Sequence, residues 1–200
     1  MPLNTFEKIP KEKQERVLNA AIKEFSRAPL NEASIANIIK DAKIPRGSFY
    51  QYFKDKEDIY YYILEEHSND IRKNLLDNLI KTKGDIVISF IELYKYTINK
   101  INNPNYKVYF KNIFLNLNHQ LERKFTLNLD DNLNDVINLT NINKLKIDSK
   151  LQLIYVIDIL DAIFMHNLVQ SYKRNISIEK NIEIFIKEIK LIVNGLAEVK

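Results

Sequence analysis

The stretch Ile38-Ile39-Lys40-Asp41-Ala42-Lys43-Ile44-Pro45-Arg46-Gly47-Ser48-Phe49-Tyr50-Gln51-Tyr52-Phe53 joins two short apolar periods through a three-residue break. Upstream of the break, Ser34 supplies a polar cap, and Ile35, Ile38, Ile39 and Ala42 fall on one side of a helix about two turns long. Downstream of Ala42-Lys43-Ile44, Pro45 stands where its missing N–H costs nothing, and residues 46–53 read as a second short helix. Two short helices joined by a tight turn make a helix-turn-helix, here spanning about 34–53.

The flanks extend this reading. Leu18, Ala21, Ile22 and Phe25 mark one face of a helix over 11–27, which Pro10 precedes and Pro29 stops by driving Ala28 out of the helical region. Asp55 is a cap for a linking helix that starts near 56 with two carboxylates in its first turn and runs to about 79. After a break at Gly84, helical patterns fall near 85–101, 104–121 and 130–141. The patterns at 151–172 and 178–196 are apolar nearly all round. Such helices are buried centrally or shared with another subunit, and Phe164, Leu168, Phe185, Ile189, Ile192 and Leu196 are the expected dimer-interface residues.

Three Gly and five Pro among 200 residues leave long unbroken segments, which favours an all-α protein. The absence of Cys removes disulfides, thiolate metal sites and cysteine nucleophiles. The chain opens on polar and charged residues and shows no run of about 18 apolar ones, so the expectation is a cytoplasmic protein with no membrane partner. The net charge is +4, and residues 1–56 hold 11 Lys/Arg against 7 Asp/Glu while the remainder balances. That asymmetry suits a phosphate-binding surface near the N-terminus.

Ala20-Ala21 and Phe25, Ser34, Gly47-Ser48-Phe49-Tyr50-x-Tyr52-Phe53 and Lys56-Glu57 together resemble, at matching spacing, the TetR/AcrR family of bacterial regulators. The resemblance covers the N-terminal quarter to third. Three positions depart from the family pattern: Ala28-Pro29-Leu30 replaces a glycine-aromatic turn, Glu24 stands where an apolar residue is common, and Lys43 replaces a frequent corner glycine, requiring a non-glycine turn geometry. The resemblance implies a three-helix DNA-binding domain over 8–56 and a larger helical effector-binding and dimerisation domain over 57–200. It implies a homodimer that binds double-stranded operator DNA as a repressor and is released by an apolar or amphipathic small molecule, with no cofactor.

The second short helix suits a major groove, where base edges present distinct donor and acceptor patterns. Arg46 either donates twice to a guanine or holds a phosphate. Gly47 permits close approach or merely packs in a turn. The hydroxyls of Ser48, Tyr50 and Tyr52 suit phosphate oxygens, with one tyrosine a candidate for the core, while Gln51 either pairs with adenine or faces solvent. Ser34 and Lys56, at helix starts, are expected near the DNA backbone. Phe49 and Phe53 belong to the core.

In the larger region, Phe90, Tyr94, Tyr106, Tyr109, Phe110, Phe114, Phe164 and Met165 are the expected lining of an effector pocket, against the plainer reading of ordinary core. Asp158, Asp161 and His166 are read as dimer or solvent-facing groups. The run Tyr60-Tyr61-Tyr62 is expected to pack the small module onto the large one. Catalysis finds no support: His67, His119 and His166 are far apart, and neither a zinc-protease nor a phosphate-loop pattern occurs. The alternatives are a helical protein-interaction module, which has no need of Arg46, Gly47, Ser48, Tyr50 and Tyr52 on one short segment, and a ligand-independent or activating DNA-binding regulator.

Overall fold

The computed structural model describes residues 4–115, 129–174 and 176–195. Among these residues the chain is all helical, with α1 (Asn4–Glu7), α2 (Lys11–Arg27), α3 (Ile35–Ala42), α4 (Arg46–Tyr52), α5 (Lys56–Lys81), α6 (Ile86–Ile101), α7 (Lys107–Leu115), α8 (Leu129–Leu139), a single 3-10 turn (Ile142–Lys144), α9 (Lys150–Lys173) and α10 (Ile178–Asn194).

Local chemistry sets most boundaries. Pro10 precedes α2 at φ −53°, and Ala28, ahead of Pro29, is extended at φ −140° and ψ 147°. Ser34 is the extended residue before α3, yet its hydroxyl makes no capping bond. Lys43 is left-handed at φ 51° and ψ 49°. The lysine thus adopts the corner conformation that glycine takes most easily, and the expected non-glycine geometry is corrected. The Asp55 carboxylate accepts the Asp58 N–H at 2.7 Å and starts α5, as its sequence suggests. α1 has no counterpart in the sequence reading; four polar-flanked residues carry too little periodicity to announce a helix.

The chain divides into two compact units inside α5 rather than at 56/57. The first holds residues 4–67 together with 104–115, and the second holds 68–103 with the described residues beyond 128. In the first unit Val17, Ala21, Phe25, Ile38, Ala42, Phe49, Phe53, Ile59 and Leu64 are buried. Helix α7 packs on α2, where Asn112 Nδ2 donates to the carbonyls of Phe25 and Ser26, both at 3.1 Å. The tyrosine run serves this unit: Tyr60 meets Phe25 edge-on at 4.9 Å and Tyr109 at 6.2 Å. The expectation that it joins two modules is corrected to packing inside one.

In the second unit, α6, α9 and α10 pack together around Tyr94, whose ring stacks on Phe185 at 4.0 Å and meets Phe164 edge-on at 5.9 Å. Gly84, at φ +78°, ends the α5–α6 turn, and its carbonyl accepts the Asn141 N–H at 2.9 Å. A Cβ there would lie 2.5 Å from the Asn141 nitrogen, so no other residue fits without moving backbone. Helix α9 is long and apolar enough in composition to cross a membrane, but Leu153, Ile157, Leu160, Phe164 and Leu168 line the core of this unit.

Candidate nucleic-acid interface

Helix α4 has two faces. Phe49 and Tyr52, followed by Phe53, turn inward and are at most 4 % exposed. Arg46, Gly47, Tyr50 and Gln51 form the exposed side, and Ser48 is half-buried between them. The Arg46 guanidinium lies 6.0 Å from the centre of the Tyr50 ring, one turn along the helix, so cation and aromatic face are held together. Gly47 has nothing within 4 Å of where a Cβ would stand, and its φ is ordinary. Packing inside the chain therefore does not call for glycine at 47, which removes the turn-packing explanation. A bare patch on an otherwise side-chain-covered helix suits the close approach of an outside surface.

Tyr52 is the tyrosine that belongs to the core. It is 4 % exposed, its ring is 5.7 Å from that of Phe6, and the Lys13 ammonium lies 5.6 Å from its centre. Its expected phosphate contact is corrected: Tyr52 stands three residues after Phe49, and at 3.6 residues per turn the two share the inward face. Lys56 has a structural role that its spacing did not announce. Its ammonium donates to the carbonyls of Asn31 (2.7 Å) and Ala33 (3.2 Å), tying the α2–α3 connection to the start of α5 with two of its three N–H groups.

Around α4 the supporting elements are fixed by groups that periodicity did not single out. Glu24, 4 % exposed, accepts from Arg27 Nη2 at 2.6 Å, the Ser34 N–H at 2.7 Å and Asn37 Nδ2 at 3.1 Å. The Arg27 bond foremost, opposed by burial and helped by Ser34 and Asn37, holds this carboxyl down at about 2. The departure from the family pattern at Glu24 is thus the latch that joins α2 to the start of α3. Arg16 Nε donates to the Ala42 carbonyl at 2.9 Å and braces the corner next to Lys43. A charge inside the apolar stripe of α2 was the available signal for Glu24; nothing in the spacing marked Arg16.

The expected pocket residues fall in both units. Tyr106, Tyr109, Phe110 and Phe114 belong to the first, where Tyr106 and Phe110 also pack against the His67 ring at 5.4 and 5.0 Å. Phe90, Tyr94, Phe164 and Met165 belong to the second. All except half-buried Tyr106 and Met165 are at most 2 % exposed, with rings filled against rings, so these six are core within their own unit. The expected dimer residues are corrected similarly: Phe164, Leu168, Phe185 and Ile189 are buried in their own chain, and only Ile192 is exposed, at 41 %. Leu196 lies outside the described residues. The side of α9 left open instead carries Leu151, Tyr155 and Ile159, and the end of α10 carries Leu191, Ile192 and Val193. Ile159 and Ile192 also line an apolar groove of about 300 Å³ with Val87, Leu145, Val156 and Leu160.

Residues 85–196 match the family model described as "Tetracyclin repressor-like, C-terminal domain", and residues 17–63 match that of "Bacterial regulatory proteins, tetR family". The chain belongs to the TetR family. As a TetR-family protein it is a DNA-binding transcriptional regulator and not an enzyme, and the N-terminal match runs from within α2, at Val17, to the first turns of α5. The HTH-type transcriptional regulator YuxN of Bacillus subtilis is 36 % identical over 75 residues, 38 % of this chain and 25 % of that protein. The chain therefore spans about a quarter of that relative in the aligned region. The fold is shared more widely. The transcriptional regulator FadR from Bacillus subtilis, solved in complex with stearoyl-CoA, superposes with a TM-score of 0.69 at 16 % identity over 91 % of this chain and 98 % of its own. A TetR-family regulator from Syntrophomonas wolfei has a TM-score of 0.69 at 23 % identity, covering 95 % and 99 %.

Proposed function

We propose that this TetR-family regulator is a homodimeric repressor that reads a palindromic operator through α4 and is released by an amphipathic small molecule. The observation that carries the operator reading is Gly47, bare and in ordinary helical geometry beside exposed Arg46 and Tyr50 on the outward side of a short helix. Arg46 donates to a guanine edge, Tyr50 and Ser48 hold phosphates, Gln51 lies along the groove, and the start of α3 at Ser34 faces the backbone. The dimer reading rests on the open apolar side of α9, Leu151, Tyr155 and Ile159, with Ile192 and Val193 beside it. Isologous packing of these helices against their symmetry mates buries that face. The stearoyl-CoA in the FadR structure supports an effector with a long apolar part and a charged head. Such a ligand acts by its differential affinity for the DNA-competent and incompetent states. Repression takes place in the cytoplasm, where the operator lies.

Selection of duplexes from a random pool by the purified protein tests this reading. The expected product is a palindrome with half-sites about one helical turn or a multiple of it apart. Failure to enrich any sequence, even at low salt, overturns specific DNA reading and favours a protein-interaction module. Operator binding left unchanged by every ligand that the protein binds tightly overturns release.

A further inference from the structure

We infer that the N-terminal segment Asn4–Ile9 is part of the DNA-reading apparatus, with Phe6 as a positioning residue for the far end of α4. This rests on the operator-reading role of that helix. Phe6 is fully buried although it stands among polar residues, and its ring is 4.7 Å from Phe53, 5.7 Å from Tyr52 and 5.6 Å edge-on from Tyr62. Tyr52 is the last residue of α4 and Phe53 is the residue after it. The Thr5 hydroxyl donates to the carbonyl of Gln51, one of the last-turn carbonyls that a helix leaves without an internal partner. Gln14 on α2 fastens the segment from the other side, its Nε2 donating to the carbonyls of Ile9 at 2.9 Å and Glu7 at 3.2 Å. The segment thus links α2 to the C-terminal end of α4 by an aromatic plug and a carbonyl bond.

A seven-residue helix is too short to hold itself, because nucleation is costly and each end leaves groups unpaired. Its direction is therefore set by what grips it. Pro45 and the Lys43 corner act on its start, and Phe6 with Thr5 acts on its end. Base-edge hydrogen bonds tolerate little misplacement, whereas attraction to phosphates is long-ranged and forgiving. Loosening the far end should accordingly reduce sequence discrimination far more than general DNA affinity.

The test compares the full chain with its Phe6→Ala, Phe6→Leu and Thr5→Val variants on two duplexes of equal length, one selected from a random pool by the unaltered protein and one unrelated. Circular dichroism and thermal melting establish that each variant is folded. Phe6→Ala is expected to lower the ratio of selected to unrelated affinity by about tenfold while binding to the unrelated duplex stays within about twofold, and Phe6→Leu, which refills the plug, to restore most of the ratio. An unchanged ratio in folded Phe6→Ala, or equal loss on both duplexes, overturns the inference. Should Phe6→Ala not fold, Thr5→Val decides: a ratio lowered about threefold supports positioning, and an unchanged ratio overturns it. Failure of the unaltered protein to select any duplex is a different result, which overturns the DNA-reading role itself.

Discussion

The backbone N–H of Ser34 donates to the carboxylate of Glu24 at 2.7 Å, so the start of α3 is capped by a side chain ten residues upstream rather than by the serine itself. The same carboxylate takes Arg27 and Asn37, and every partner is a donor. Glu24→Gln places an amide N–H among donors and should lower unfolding free energy by about 1–3 kcal/mol, measured by urea denaturation. The pH dependence follows in sign. Because the folded carboxyl titrates at about 2 against an ordinary 4.5, its contribution is complete above the ordinary value and is lost as pH falls from there towards 2. Glu24→Gln should flatten that acid limb, and an identical limb in both proteins contradicts the latch.

Gly47 sets stability and DNA binding against each other. Alanine at this open helical position should raise stability by about 0.5–1 kcal/mol, because glycine is the poorer helix former. On the proposed operator reading, the added methyl should weaken binding to the selected duplex, because it would stand between α4 and the groove. Melting and titration of one Gly47→Ala preparation check both signs, and tighter DNA binding would remove Gly47 from the interface.

Arg46 and Lys56 separate in their effects. Arg46→Ala should relax base preference at one operator position by about 1–3 kcal/mol. Lys56→Ala removes the bonds to Asn31 and Ala33, and should lower the melting temperature while leaving the salt dependence of DNA binding nearly unchanged. A salt slope reduced by about one unit would return Lys56 to the phosphates.

Lys43 is left-handed at φ 51°. Lys43→Gly removes the steric cost of that conformation and should stabilise the fold by about 1 kcal/mol, read by chemical denaturation. Destabilisation would mean that the lysine side chain has a structural role of its own.

On α9, Ile159 is 45 % exposed, whereas Ile189 on α10 is fully buried. Ile159→Asp should yield a folded monomer in sedimentation, with operator affinity falling as the second half-site is lost. Ile189→Asp should fail to fold. A dimeric Ile159→Asp protein would move the interface elsewhere.

Periodicity and breakers reveal nearly every helix because Pro10, Pro29, Pro45 and Asp55 act on their immediate neighbours. The outward side of α4 was legible for the same reason: Phe49 and Phe53 had to face inward, leaving Arg46, Gly47 and Tyr50 outside. Choices between equivalent faces were not legible. Helix α9 is apolar on most sides, and only the packing of Phe164, with Phe185 of α10, around Tyr94 shows which side is internal. Which of the tyrosines belongs to the core follows only from Tyr52 sharing the face of Phe49, and an ammonium at a helix start, as at Lys56, serves a neighbouring carbonyl as readily as a phosphate. Phe6 escaped because an isolated aromatic has no period.

Helix α7 makes the N-terminal unit discontinuous in the gene. Asn112 closes the carbonyls at the end of α2, and Tyr109 lies against Tyr60, yet all of α6 is translated between these partners. The head is consequently not a cassette. A fragment ending at residue 56 or 67, or a chimaera spliced there, lacks a wall of its own core, and a nascent chain emerging from the ribosome must wait for residues 104–115 before this unit can close.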